Sequence, residues 1–251
     1  MKQYRFSPDS LTQTVKPICK MRTLNYSSVD ISGFAGIRER VLVRDRGHFG
    51  HSQVDEVRDG FGACVYLAHA YFTPGGSTGL HHHQDVDIVS IFTRGEVVHK
   101  GTLGDGDRFT PGQVLVQCSG PKSFSHNEIN ALRDISGMVQ LWCVPSSDSA
   151  RQQKHEVVTL PESGLQRIYG GAANDPLTRI ASDTQLDIAV LTGDSLLEIK
   201  GPSRLYVFDG EARVSEDRQQ ITLPRGTLCD GEDLTLEGEC NVLIQRRLYQ
   251  S

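Results

Sequence analysis

This chain lacks the features that would mark a membrane-spanning, secreted or nucleic-acid-binding protein. No apolar run approaches the roughly 20 residues a membrane span needs. The opening stretch, Met1 to Phe6, has no apolar segment of the kind that leads a secretory signal. Six cysteines (Cys19, Cys64, Cys118, Cys143, Cys229 and Cys240) lie far apart without a C-x-x-C pair, so they read as reduced thiols in a cytoplasmic protein. Cys118 and Cys143 fall in predicted strands and read as small core residues. Basic and acidic residues, 26 and 31, are intermixed, and a formal charge of −5 leaves no basic footprint for nucleic acid. No membrane or nucleic-acid partner is expected.

Helical periodicity is also scarce; a short helix is expected only within Asp30–Val41. Short runs rich in β-branched and aromatic residues recur instead, split by turns such as Thr110-Pro111-Gly112 and Pro224-Arg225-Gly226. Predicted strands include Ala63–Phe72, Ile88–Phe92, Val97–Lys100, Gln113–Cys118, Met138–Val144, Arg167–Tyr169, Leu186–Thr192, Leu205–Phe208 and Asn241–Arg247. The pattern argues for an all-β sandwich or barrel. The polar stretch Pro145–Lys154 reads as a connection between two halves, with His155 beside it. A weak repeat supports the division: Ile91-Phe92-Thr93-Arg94-Gly95-Glu96 echoes Val207-Phe208-Asp209-Gly210-Glu211. A shift of about 115 positions carries His81 and His83 to Leu196 and Glu198, and His126 and Glu128 to Asn241 and Leu243. The second half is therefore expected to repeat the architecture without its histidines. Its expected role is to support the first barrel and cover a sheet edge, or else to close the pocket.

His81-x-His83 and His126-x-Glu128 dominate the chemistry. Residues two apart on a strand share a face, so each pair can aim both side chains at one point. Three imidazoles and a carboxylate suit a first-row metal: iron, nickel, manganese, copper or zinc. Two coordination positions would stay open for a substrate oxygen and dioxygen, with the metal acting as Lewis acid and template. Glu128 could remain a ligand or act as general base. His82, between the paired histidines, should face the other way, unless a slip of register by one exchanges the faces. Asp87 is either a further carboxylate ligand, an acceptor for a ligand imidazole or a strand-end residue. The loop carrying His48 and His51 either overhangs the barrel mouth or is plain surface. Lys122 either draws an anionic substrate or is solvated. Trp142 and Tyr66 read as barrel packing.

Gly75-x5-His81-x-His83-x3-Asp87, ending at Gly95, matches the first cupin motif. With His126-Asn127-Glu128 and Met138-Val139-Gln140-Leu141-Trp142, it resembles the pirin family, a bicupin group that includes bacterial quercetin 2,3-dioxygenase-like members. The likeness runs from Arg44 through Trp142 and, more faintly, over the second half. It implies two cupin (jelly-roll) barrels. They would comprise an amino-terminal extension over 1–40, a metal-binding barrel over 41–146 and a ligand-free barrel over 147–251. It further implies one metal, iron(II), on His81, His83, His126 and Glu128, and dioxygenase activity with O2 on a flavonol such as quercetin. A metal-dependent regulatory role with a protein partner is the alternative it carries. A third reading is an isomerase whose metal only polarises a carbonyl. The chain departs from the family at Gly120–Ser125, which is less glycine-rich, and at Asp87, where glutamate is usual.

Overall fold

Residues that alternate in character every second position build almost the whole molecule. The computed structural model describes residues 21–50, 57–120, 122–145, 152–171, 180 and 182–248. Its strands are β1 Arg22–Asn25, β2 Ile37–Arg44, β3 Cys64–Phe72, β4 His81–His83, β5 Asp87–Arg94, β6 Val97–Gly101, β7 Arg108–Phe109, β8 Gln113–Cys118, β9 Phe124–Ile129 and β10 Ser136–Cys143. They continue as β11 Lys154–Thr159, β12 Gly164–Gly171, β13 Ser182–Leu191, β14 Leu196–Glu216, β15 Gln219–Pro224 and β16 Thr227–Arg247. The helix expected within Asp30–Val41 does not form. Ile37–Arg44 is a strand paired with β3: Ile37 and Val41 lie on one face opposite Phe72 and Ala68, and a bulge after Val41 sets Val43 opposite Leu67 in the other core. The one α-helix among the described residues is the single turn Arg46–Phe49, capped by the Asp45 carboxylate, which accepts from the His48 N–H. No helix there is long and apolar enough to cross a membrane.

The first half folds as two facing sheets, β11-β8-β5-β10-β3-β2 and β4-β9-β6-β7. The second is one continuous sheet of order β12-β13-β16-β14-β15, in which two 21-residue strands bend through bulges between Ile199 and Asp209. The architecture is that of two cupin barrels. Central strand β5 is buried on both faces. Its Val89 and Ile91 join Leu67, Val139 and Leu141 in a core shared with Tyr169, Leu186, Tyr206, Phe208 and Leu243 of the second half. Its Phe92 turns the other way, into the first barrel, and stacks on Phe109 at 4.6 Å.

Edge strands are exchanged between the halves. β11, beyond the polar connection, pairs with β8, and β1 pairs with β16. His155, expected in the connection, instead lies in β11 opposite Gln117, with its Nε2 2.8 Å from Asp107. Asp87 also ties the halves together. Fully buried at the head of β5, it accepts from the Ser119 N–H at 3.1 Å and the Tyr169 hydroxyl at 2.9 Å.

Candidate metal centre

The two histidine-bearing strands lie side by side. β4 and β9 pair antiparallel with His81 directly opposite His126 and His83 opposite Phe124, so the interior face of the pair carries His81, His83, His126 and Glu128. On the far side of β9, His99 of β6 faces Glu128 and Gly101 faces His126. A Cβ at Gly101 would fall 2.3 Å from the Ser125 carbonyl and 2.9 Å from the His126 Cα, so only glycine lets β6 approach this closely.

The three imidazoles converge. His126 Nε2 stands 3.0 Å from His83 Nε2 and 3.1 Å from His81 Nε2. For His81 and His126, partners of the outer ring nitrogen fix the tautomer. The Gly79 carbonyl, 2.9 Å from His81 Nδ1, can only accept, so Nδ1 carries the proton and Nε2 presents a lone pair. Gln117 donates its amide to the Leu103 carbonyl at 2.8 Å, which turns its oxygen toward His126 Nδ1, also at 2.8 Å. His126 Nε2 is therefore a bare acceptor as well. Two lone pairs 3.1 Å apart repel unless a cation lies between them. Nitrogens held ~2.1 Å from one ion at right angles stand about 3.0 Å apart, so this cradle suits a six-coordinate transition metal. Burial, with help from the neighbouring imidazoles, lowers His83 to about 3 and His126 to about 2, leaving both neutral as ligation requires.

Among the described residues, these histidines form the one group of three or more whose ligand atoms all lie within 4.8 Å of one another. The Glu128 carboxylate is 1% exposed and held by Gln140 Nε2 at 3.2 Å and the Ser90 hydroxyl at 3.3 Å. It lines the same cavity but does not join that cluster. Burial pushes it up to about 7, against the opposing effect of its two donors. Asp87 stands apart, bonded at the junction of the halves.

The site opens into a cavity of about 240 Å³ lined by His81, Glu128 and Gln140 together with Phe49, Tyr66 and Trp142. Tyr66 and Trp142, read from sequence as packing, are its wall. Their rings lie 4.7 Å apart, and Phe49 meets Trp142 at 6.0 Å. The Tyr66 hydroxyl donates to Glu39 at 2.8 Å. Alternation along β3 and β10 placed these residues on one face, but periodicity does not say which face is hollow. His82 is exposed and points outward, 3.4 Å from the Ser125 hydroxyl. Lys122 and His48 are exposed and outside the lining, and His51 lies outside the described residues.

Comparison with known proteins agrees with this fold. A family model described as Pirin matches residues 43–143. The quercetin 2,3-dioxygenase of Escherichia coli is 21% identical over 178 residues, covering 65% of this chain and 77% of that protein. A Zymomonas mobilis relative, whose name assigns the same activity provisionally, is 27% identical over 112 residues. That alignment takes in 44% of this chain and 47% of the relative, so the chain spans about half its length. Among solved structures, the bacterial pirin YhhW of Escherichia coli in complex with nickel(II) superposes with a TM-score of 0.73 at 15% identity, over 90% of this chain and 97% of that one. A quercetin 2,3-dioxygenase of Acinetobacter baumannii gives 0.61 at 18% identity, over 89% and 84%. The first barrel thus matches the Pirin family model, in a chain with the bicupin fold of the bacterial pirins.

Proposed function

We propose that this protein is a metal-dependent cupin dioxygenase of the quercetinase type, acting with O2 on a flavonol or another small enolic or polyphenolic substrate. One observation carries the reading: the Nε2 atoms of three imidazoles meet beside a cavity walled by aromatic rings, with His81 in its lining. His81, His83 and His126 hold the metal. Iron(II) is the first choice, and nickel, manganese, copper and zinc suit the same donors. The bound ion would supply Lewis acidity and a template for the two reactants.

The chain's own groups do the rest. Phe49, Tyr66 and Trp142 flank a planar ring and keep water from it. Glu128, poised near neutrality by burial, takes the substrate hydroxyl proton, while Gln140 and Ser90 fix the carboxylate that receives it. In the same position Glu128 is also the candidate fourth ligand.

Anaerobic loading with iron(II) and quercetin, followed by air, should give loss of flavonol absorbance matched by oxygen uptake. Glu128→Gln should retain metal and lose turnover if the carboxylate is the base, whereas loss of metal as well makes it a ligand. Absence of turnover across the five metals and several polyphenols would sink the dioxygenase reading.

A further inference from the structure

A second cavity, larger than the one above the histidines, lies on the opposite face of the same sheet. Its volume is about 400 Å³, and its lining includes Tyr26, Arg40, His69, Tyr71, Thr93 and Arg225. Strand alternation separates the two chambers. On β2, Glu39 lines the metal-side cavity and Arg40 the other; on β3, Tyr66 lines the first and His69 the second.

The walls are built rather than incidental. Gly226 has φ +84°, and a Cβ there would lie 2.2 Å from the Tyr26 ring, so the turn before β16 is shaped to receive that ring. Asn25 donates to the Arg225 carbonyl at 3.3 Å and to the Thr227 hydroxyl at 2.8 Å, which pins the turn. The Arg225 guanidinium has no carboxylate partner among the described residues. Arg40 donates to the Tyr26 and Val29 carbonyls and lies over the Tyr26 ring at 5.8 Å, with no carboxylate partner among the described residues. Arg94, at the margin, is paired with Asp134.

His69 supplies the floor. It is 9% exposed, and its Nδ1 lies 2.6 Å from the Tyr206 hydroxyl. Burial lowers it to about 4, so it is neutral, while burial raises Tyr206 and keeps its proton on. His69 Nδ1 is the acceptor that the structure offers the Tyr206 hydroxyl among the described residues, so the tyrosine donates. That leaves the His69 proton on Nε2, a donor without a protein partner. Nearby, the Thr93 hydroxyl is buried and also unpartnered. Cations and unused donors thus share a chamber with two tyrosine rings and Ile135, and no carboxylate lines it.

We infer that this chamber is a second binding site, for a small planar aromatic carboxylate. Its carboxylate is held by Arg225, Arg40 and the His69 Nε2–H, and its ring lies against Tyr26, Tyr71 and Ile135. A guanidinium matches the carboxylate fork, and the neutral donors add direction without competing charge. The assignment does not depend on the metal or on turnover.

Isothermal titration of the full chain with 4-hydroxybenzoate tests it, with the uncharged 4-hydroxybenzamide as control. Saturable one-to-one binding is expected for the acid, with at least tenfold weaker binding of the amide. Arg225→Gln, at an exposed position, should weaken the acid at least tenfold. Ile135→Trp should abolish binding by filling the chamber, with the unfolding temperature recorded to confirm folding. His81→Ala should leave the affinity unchanged, because the metal cavity is a separate chamber. Absence of saturable binding by the wild-type chain, equal affinity for acid and amide, or binding that survives Arg225→Gln overturns the proposal. So does binding lost with His81→Ala.

Discussion

The two barrels share one pairing scheme and fill it with opposite chemistry. His81 pairs with His126 in the first, and Leu197 with Leu236 in the second; His99 faces Glu128, and Ala212 faces Gly238. Ser90 opposite Gln140 becomes Val207 opposite Val242, and Ile88 opposite Gln117 becomes Leu205 opposite Cys229. The second set forms a closed apolar core with Ile199 and Leu234. At these matched positions, a fold that can be filled with leucine and valine carries buried histidine, glutamine and glutamate in one copy. Buried polar groups cost stability unless each finds a partner. The first barrel supplies such partners to His81 and His126 through Gly79 and Gln117, the latter oriented by Leu103, while His99 Nδ1 is left without one.

The largest expected effect comes from making the first barrel resemble the second. His126→Leu installs the residue type found at position 236 and should lower metal affinity more than ~100-fold, because one of three converging donors is gone. Metal titration followed by elemental analysis measures this. Circular dichroism should retain the β signature, since an apolar residue is at home in the equivalent place. The reverse exchange, Leu236→His, puts an imidazole with no partner into a dry core. It should destabilise the chain by about 2–5 kcal/mol in urea unfolding. A cost below about 1 kcal/mol would show that the second core adapts to polar groups, and the contrast between the barrels would fail.

A subtler substitution is Gln117→Leu, which keeps all three histidines and removes the acceptor that fixes the His126 tautomer. Metal affinity should fall roughly 10–100-fold with no change in fold. The smallest effect is one of pH. His69 is lowered to about 4 from an ordinary value of 6.5, chiefly by burial. Between those values the unfolded chain binds the proton that the folded chain refuses, so stability is full above pH 6.5 and declines as pH falls toward 4. The loss from pH 6.5 to 5.5 should be about 1 kcal/mol from this residue. His69→Gln should remove that part of the slope in urea titrations at each pH; an unchanged slope would assign it to other groups.

Much of the site was legible because period two is a strong signal. The pairs at 81 and 83 and at 126 and 128 share the interior face, as spacing required. The alignment of the halves was less legible. A shift of about 115 residues, taken from the turn echo, carries His81 to Leu196, whereas the pairing register makes Leu197 its counterpart and Leu236 that of His126. Bulges and unequal loops between Ile199 and Asp209 spoil any single offset. The conclusion survived because neither register yields a histidine. Asp30–Val41 suggests a short helix because it mixes charged and apolar residues without clean alternation, yet its last five residues open β2. β11 was missed because Lys154-His155-Glu156 looks like linker, although pairing with β8 gives the segment its backbone partners. Tyr66 and Trp142 sat in correctly read strands, but their place on a cavity wall depends on how far apart two sheets stand, which no local pattern encodes.

The exchange of edge strands bears on how this molecule can be taken apart. A recombinant piece stopping at Val144 would leave β8 without β11, its backbone donors and acceptors bare along one side. A piece beginning at Lys154 would lack β1 on β16. Open edges of this kind invite pairing with other copies. Truncation at the linker should therefore give aggregates, and dissection of the two barrels calls for point substitutions within the intact polypeptide.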